Sequence, residues 1–254
     1  MKAIVNVDEV LDRLGYTGPR EPTHETLRSL QHAFLEAVPF ENLDIHRGRR
    51  ISLDSSRIYE KIVARRRGGF CYECNGLFAE LLVSLGYTVA RISARMVLGG
   101  RIGREFDHMP LLVSLDREYL ADVGNGQSVR DPLPLVGEEI SEAEHIEYRV
   151  GTHGEGHALY YREANSEWLP RFVFTTTPRE QSEFARMCDF HQESPESVFT
   201  KNRLATIATP EGRITLLGNR LIETHGAERD ERELTSDAEV SRCLRTRFGM
   251  DLTD

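Results

Sequence analysis

The hydrophobic period of this chain changes at Gly86, and that change limits what it can fold into. Up to Gly86 the apolar residues recur at helical spacing. Leu77, Phe78, Leu81, Leu82 and Leu85 line one face of a helix that starts at a cysteine, and Gly86 is placed to close it. Asn6 opens a short helix ending near Leu14, and Thr23 caps a second one carrying Leu27, Leu30, Phe34 and Leu35. Val38-Pro39 ends that helix and Phe40-Glu41-Asn42-Leu43 is expected to begin a turn; Asp54 caps a third helix with Ile58, Ile62 and Val63. From Thr88 to Val97 apolar and polar residues alternate, as in a half-buried strand. The segments 109–115, 118–123, 147–150, 157–163 and 167–175 continue that pattern between turn residues, which predicts an antiparallel sheet curled into a barrel. The segment 178–188 is expected to be helical, and 204–209, 213–217 and 220–224 to be hairpin strands before a last helix over 236–248. The fold class expected is α+β. A helical bundle fills 1–86, a central antiparallel β-barrel 87–195, and an α/β lid 196–254.

Composition excludes some classes of function. The net charge is −9 and the pI near 5.6, which argues against nucleic acid as the main partner. The densest basic run, Arg65-Arg66-Arg67, abuts a glycine turn and is expected to serve that turn. No apolar run approaches the ~20 residues of a membrane helix, and the start of the chain lacks a signal-peptide core. Cys71, Cys74, Cys188 and Cys243 are therefore expected to be reduced thiols of a cytoplasmic protein without a membrane partner.

The densest chemistry lies in Arg67-Gly68-Gly69-Phe70-Cys71-Tyr72-Glu73-Cys74-Asn75. Two glycines let the backbone turn, and a cysteine follows at a helix start, where N–H groups and the helix dipole favour thiolate. Cys71-x-x-Cys74 has the spacing of half a zinc site, but Cys188 and Cys243 are isolated, so no metal is expected and Cys74 is assigned to the core. His108 stands at a strand entrance and Asp122 at a strand end, before Gly124-Asn125-Gly126-Gln127-Ser128. Cysteine, imidazole and carboxylate together form a nucleophile set for acyl transfer, in a cysteine-proteinase-like arrangement.

Four stretches, Val38–Leu43, Arg67–Asn75, Asp107-His108-Met109 and Ala121–Gly124, together resemble the arylamine N-acetyltransferase family. The resemblance implies the three-part fold, with acetyl-CoA as the donor. It also implies ping-pong transfer to the nitrogen of a small aromatic amine, hydrazine or N-hydroxyarylamine, and a place in xenobiotic metabolism. It makes Cys71 the acetylated nucleophile, His108 its base and Asp122 the orienting carboxylate. It pairs Glu41 with Arg67 as a brace and assigns Gly124, Gly126, Gln127 and Ser128 to coenzyme A. The N–H of Tyr72 is the expected oxyanion donor, and Phe40, Phe70 and Val97 the expected acceptor pocket. Asn125 departs from the family's aromatic residue between the two glycines and bears on the acceptor accepted. The rivals are an amide synthase working on a carrier-bound acyl chain, a thiol hydrolase of transglutaminase or protease type, and a non-catalytic binding module.

Overall fold

The computed structural model describes residues 5–127, 129–226 and 228–252. The first third is helical: α1 (Val7–Leu14), α2 (His24–Ala37), α3 (Leu43–His46), α4 (Ser55–Tyr59) and α5 (Cys71–Ser84). Asn6, Thr23 and Asp54 accept from helix N–H groups as N-caps. Helix α5 is buried from Cys71 through Ala79 and again at Leu81 and Leu82. A helix buried on every side along most of its length is central to the fold, and its polar residues Glu73 and Asn75 must find partners inside it. It packs through Leu77, Phe78, Leu81 and Leu82 into a core shared with Leu27, Leu30, Phe34, Leu111 and Val113, so the cysteine at its first turn is carried by a rigid element.

The middle third is an antiparallel sheet of β2 (Thr88–Leu98), β3 (Arg101–Ile102), β4 (Leu111–Ser114), β5 (Glu118–Ala121), β6 (Leu133–Pro134), β7 (Ser141–Ala143), β8 (Ile146–His153), β9 (Gly156–Glu163) and β10 (Leu169–Arg179). Its order is β6-β5-β4-β2-β10-β9-β8-β7, with β3 folded back on β2. Strand β6 also lies beside β8, so the sheet curls into a nearly closed barrel. Ile92, Ala94, Leu120, Tyr148, Leu159, Phe172 and Phe174 fill it. The last third holds a short 3₁₀ turn (Gln181–Phe184), α6 (Ala185–Glu193), α7 (Val198–Lys201), β11 (Leu204–Thr209), β12 (Gly212–Leu217), β13 (Arg220–His225), β14 (Glu228–Glu233) and α8 (Asp237–Phe248).

The structure corrects the sequence reading in four places. Phe40–Glu41 is a strand, β1, on the edge of the last sheet, whose order is β1-β11-β12-β13-β14. The first segment thus contributes one strand to the sheet of the third. Strand β10 runs to Arg179, so the expected helix over 178–188 starts later and extends as α6 to Glu193. Strand β14, Glu-Arg-Asp-Glu-Arg-Glu, has no apolar residue to reveal it and is exposed throughout. It forms an edge, where charge prevents further pairing. Finally, the turn before Cys71 is made by Arg66, whose φ is 50°, rather than by Gly68 and Gly69. Those glycines serve close approach: a Cβ on Gly68 would run into the Pro39 carbonyl, and one on Gly69 would lie 2.7 Å from Glu73 Cβ.

Candidate active site

The turn that carries Cys71 is fastened on two sides. Glu41 N–H donates to Gly69 O at 2.9 Å, and Gly69 N–H to Pro39 O at 3.1 Å, which stitches the turn to β1. Behind it lies a buried cluster of two cations and three carboxylates. Arg67 Nη2 donates to Glu41 Oε1 at 2.7 Å and to Asp44 Oδ1 at 3.0 Å. Lys61 Nζ lies 2.9 Å from Asp44 Oδ2 and donates to Glu73 Oε1 at 2.8 Å. Glu73 Oε2 in turn accepts from the Phe70 N–H at 3.1 Å, one residue before the cysteine. The expected Glu41–Arg67 pair is therefore the centre of a larger brace. Lys61 reaches it from a π-helical turn, Glu60–Ala64, that no residue pattern announces. Burial opposes the charge on Lys61, and Glu73, Glu41 and Asp44 more than offset it, so its ammonium is held above the ordinary range.

His108 is bridged by its backbone to Ala94 of β2, with bonds of 2.9 and 3.1 Å. Its Nε2 lies 2.8 Å from Asp122 Oδ2, and both side chains are buried. An ionised carboxylate only accepts, so Nε2 carries the proton and Nδ1 is the basic nitrogen of the neutral ring. Asp122 Oδ1 accepts from Asn75 Nδ2 at 2.8 Å and Gly124 N–H at 2.9 Å, while Gln31 Oε1 accepts from Asp122 N–H at 3.2 Å. Burial pushes the Asp122 carboxyl up, but His108 and these donors outweigh it and leave it below its ordinary value. Asn75 and Gln31 were not singled out from the sequence. The signal for Asn75 is its place four residues after Cys71, on the same helix face.

Cys71 and His108 line one cavity of about 280 Å³, with Phe40, Phe190 and Phe199 on its walls. A site of ~150 Å³ suffices for a benzene ring. The thiol differs from the expectation of a lowered pKa. Burial, with Cys188, Asp122 and Asp107 adding to it, pushes Cys71 well above the usual thiol range. A helix N-terminus contributes at most ~2 kcal/mol, whereas full burial moves a pKa by up to several units. A lone thiolate is disfavoured here, and it becomes accessible paired with an imidazolium. The first N–H groups of α5, Tyr72 among them, have no carbonyl partner within the helix and point past its N-terminus. Cys74 is a core residue whose Sγ donates to Gly69 O at 3.2 Å.

Of the expected pocket residues, Phe40 and Asn125 line the cavity. Val97 does not. Strand alternation puts its neighbours Met96 and Leu98 on the cavity face. Phe70 is wholly buried behind the wall, edge-on to Tyr72 and Phe199. Gly124 is likewise occupied elsewhere than at a phosphate: its N–H is bound to Asp122, and a Cβ there would lie 2.8 Å from Cys71 Cα. Gly126 and Gln127 border a second cavity of about 300 Å³, next to the first through Phe40, Asn125 and Phe199. Arg171 and Arg213 line it, and Arg213 donates to Gly126 O. Ser128 lies outside the described residues. Among the described residues no group of three or more His, Cys, Asp or Glu is arranged to hold a metal ion. All four cysteines are free and buried, and no described helix is long and apolar enough to cross a membrane.

The N-acetyltransferase family model matches residues 23–254. The arylamine N-acetyltransferase of Mycolicibacterium smegmatis is 32% identical, with 96% of this chain and 91% of that protein covered. The chain belongs to the arylamine N-acetyltransferase family. Its backbone matches the solved arylamine N-acetyltransferase of Salmonella typhimurium with a TM-score of 0.92 at 30% identity, covering 100% of this chain and 93% of that one. The Mycobacterium marinum family member, solved in complex with CoA, matches with a TM-score of 0.88 at 31% identity, over 96% of this chain and 93% of that one. The acetyltransferase activity carried in the family name is thus the frame for the site described above.

Proposed function

We propose that this acetyltransferase moves an acetyl group from acetyl-CoA through a Cys71 thioester to the nitrogen of an arylamine, arylhydrazine or N-hydroxyarylamine. The observation that carries the reading is the meeting of Cys71 with the buried His108–Asp122 pair on one aromatic-walled cavity. In the first half-reaction the Cys71 proton passes to His108 Nδ1. The thiolate attacks the thioester carbonyl, and coenzyme A leaves as the thiol with the proton from the imidazolium. The N–H of Tyr72 at the start of α5 is aimed to take the developing oxyanion. In the second half-reaction the amine attacks acetyl-Cys71, His108 removes its extra proton, and the proton returns to the departing Cys71 sulfur. Asp122 remains ionised throughout and keeps the imidazole in the required tautomer. The brace of Lys61, Arg67, Glu41, Asp44 and Glu73 fixes the cysteine turn and takes no chemical step. The second cavity, bordered by Gly126 and Gln127, is the place for coenzyme A. Arg171 there, which donates to Gln127 O, is a cation suited to its phosphates, whereas Arg213 is buried and paired with Glu144 and holds the cavity wall.

Initial rates with acetyl-CoA and an arylamine test the proposal. Parallel double-reciprocal lines with stoichiometric coenzyme A release are expected. Absence of coenzyme A release with arylamines and arylhydrazines alike overturns it.

A further inference from the structure

A second imidazole–carboxylate pair faces the Cys71 cavity and has no part in the steps above. His191 Nε2 lies 3.3 Å from Asp107 Oδ1 and 3.3 Å from the Asp107 carbonyl, and His191 Nδ1 lies 3.4 Å from Ser197 Oγ. His191 is buried against Phe199 and Tyr72, whereas the Asp107 side chain is 15% exposed, into the cavity it lines. Gly103 leaves room for that carboxylate, since a Cβ there would run into Asp107 Oδ2.

The other charges on the cavity wall are accounted for. Arg104 Nη2 and Glu196 Oε2 form a mutual pair at 2.8 Å, with the guanidinium over the Phe190 ring at 4.2 Å. Among the described residues the Asp107 carboxylate is paired only with an imidazole, which can donate its N–H without carrying charge. The negative end of the cavity is therefore Asp107. Its field reaches the cysteine, adding to the upward push on the thiol.

Building on the acetyl-transfer reading, we infer that Asp107, oriented by His191, recognises a second, positively charged nitrogen on the aromatic acceptor. The acceptor's ring lies among Phe40, Phe190 and Phe199, with its reacting amine at Cys71. A cation carried on the ring then meets a partly desolvated carboxylate, where the interaction is far stronger than in water. Asp107 is a specificity residue in this account, and His191 is a positioning residue.

The test compares two acceptors of equal shape, 4-(trimethylammoniomethyl)aniline and 4-(2,2-dimethylpropyl)aniline, which differ only in charge. In a ping-pong reaction kcat/KM for the acceptor reports the second half-reaction alone, so their ratio cancels any difference in acylation. The cation is expected to be preferred by at least about tenfold. Asp107→Asn is expected to bring the ratio to within about twofold of unity, and His191→Gln to an intermediate value. Binding of both compounds to the Cys71→Ser protein, followed by calorimetry, reads the same preference without turnover. Equal kcat/KM and equal Kd for the two compounds overturn the inference, as does a wild-type ratio in Asp107→Asn. Failure of the transfer reading has a different signature, since Cys71 then takes no acetyl group while the binding preference is still measurable.

Discussion

The His108–Asp122 and His191–Asp107 pairs share one cavity and are held in different ways. Asp122 is closed off from solvent, lies 2.8 Å from its imidazole, and has its second oxygen filled by Asn75 and Gly124. Asp107 is 15% exposed and its imidazole contacts are 3.3 Å long. Enclosure and full hydrogen bonding suit a carboxylate that must keep one geometry through two half-reactions. An open oxygen suits one that meets a ligand. The same two side chains thus serve preorganisation in one place and recognition in the other, and burial separates the roles.

The largest effects should break the enclosed pair. His108→Gln is expected to lower acetyl transfer by about 10³–10⁴-fold. It also leaves Cys71 without a proton acceptor, so iodoacetamide alkylation of Cys71 should require more alkaline solution than in wild type. An unchanged alkylation profile would show that His108 does not hold the thiolate. Asp122→Asn should reduce acetyl transfer about 10³-fold, measured by coenzyme A release. Asp122→Ala should reduce activity more than stability; an unfolded variant would assign Asp122 a purely structural role.

The brace should give a smaller effect on rate and a larger one on stability. Lys61→Met leaves Asp44 and Glu73 buried without their ammonium, a change of about 3–5 kcal/mol in denaturant unfolding. Catalysis per folded molecule should fall less than in either triad variant. An equal loss would make the brace part of the chemistry.

The pH dependence of stability gives the smallest effect. The folded Asp122 carboxyl lies below its ordinary value of 3.8 because His108, Asn75 and Gly124 outweigh burial. The ionised form is therefore bound more firmly in the folded state. Its contribution to stability is complete well above pH 3.8 and is lost as pH falls through the lowered value. Asp122→Asn should flatten the acid limb of the unfolding curve, read by circular dichroism, and leave the slope above pH 6 unchanged.

These contrasts also separate what could be read from sequence from what could not. Cys71, His108 and Asp122 each stand where a local pattern changes, at a helix start, a strand entrance and a strand end, so short-range signals expose them. Their supports arrive through tertiary packing. Gln31 reaches Asp122 from α2, 91 residues away, and Lys61 reaches Glu73 from a π turn. Val97 shows the limit of alternation, which tells that neighbours face opposite ways and leaves open which face meets the cavity. The two residues of β1 are too few to carry a period, and the wholly charged β14 carries none. His191 lies in α6, whose register was hidden by β10 running on past Pro178.

The central claim is that Cys71 carries the acetyl group between donor and acceptor. Intact-protein mass spectrometry after mixing with acetyl-CoA tests it directly. The account predicts a single acetyl adduct that is absent in Cys71→Ala and that disappears when an arylamine is added. An unmodified wild type, or an adduct that survives in Cys71→Ala, would contradict it.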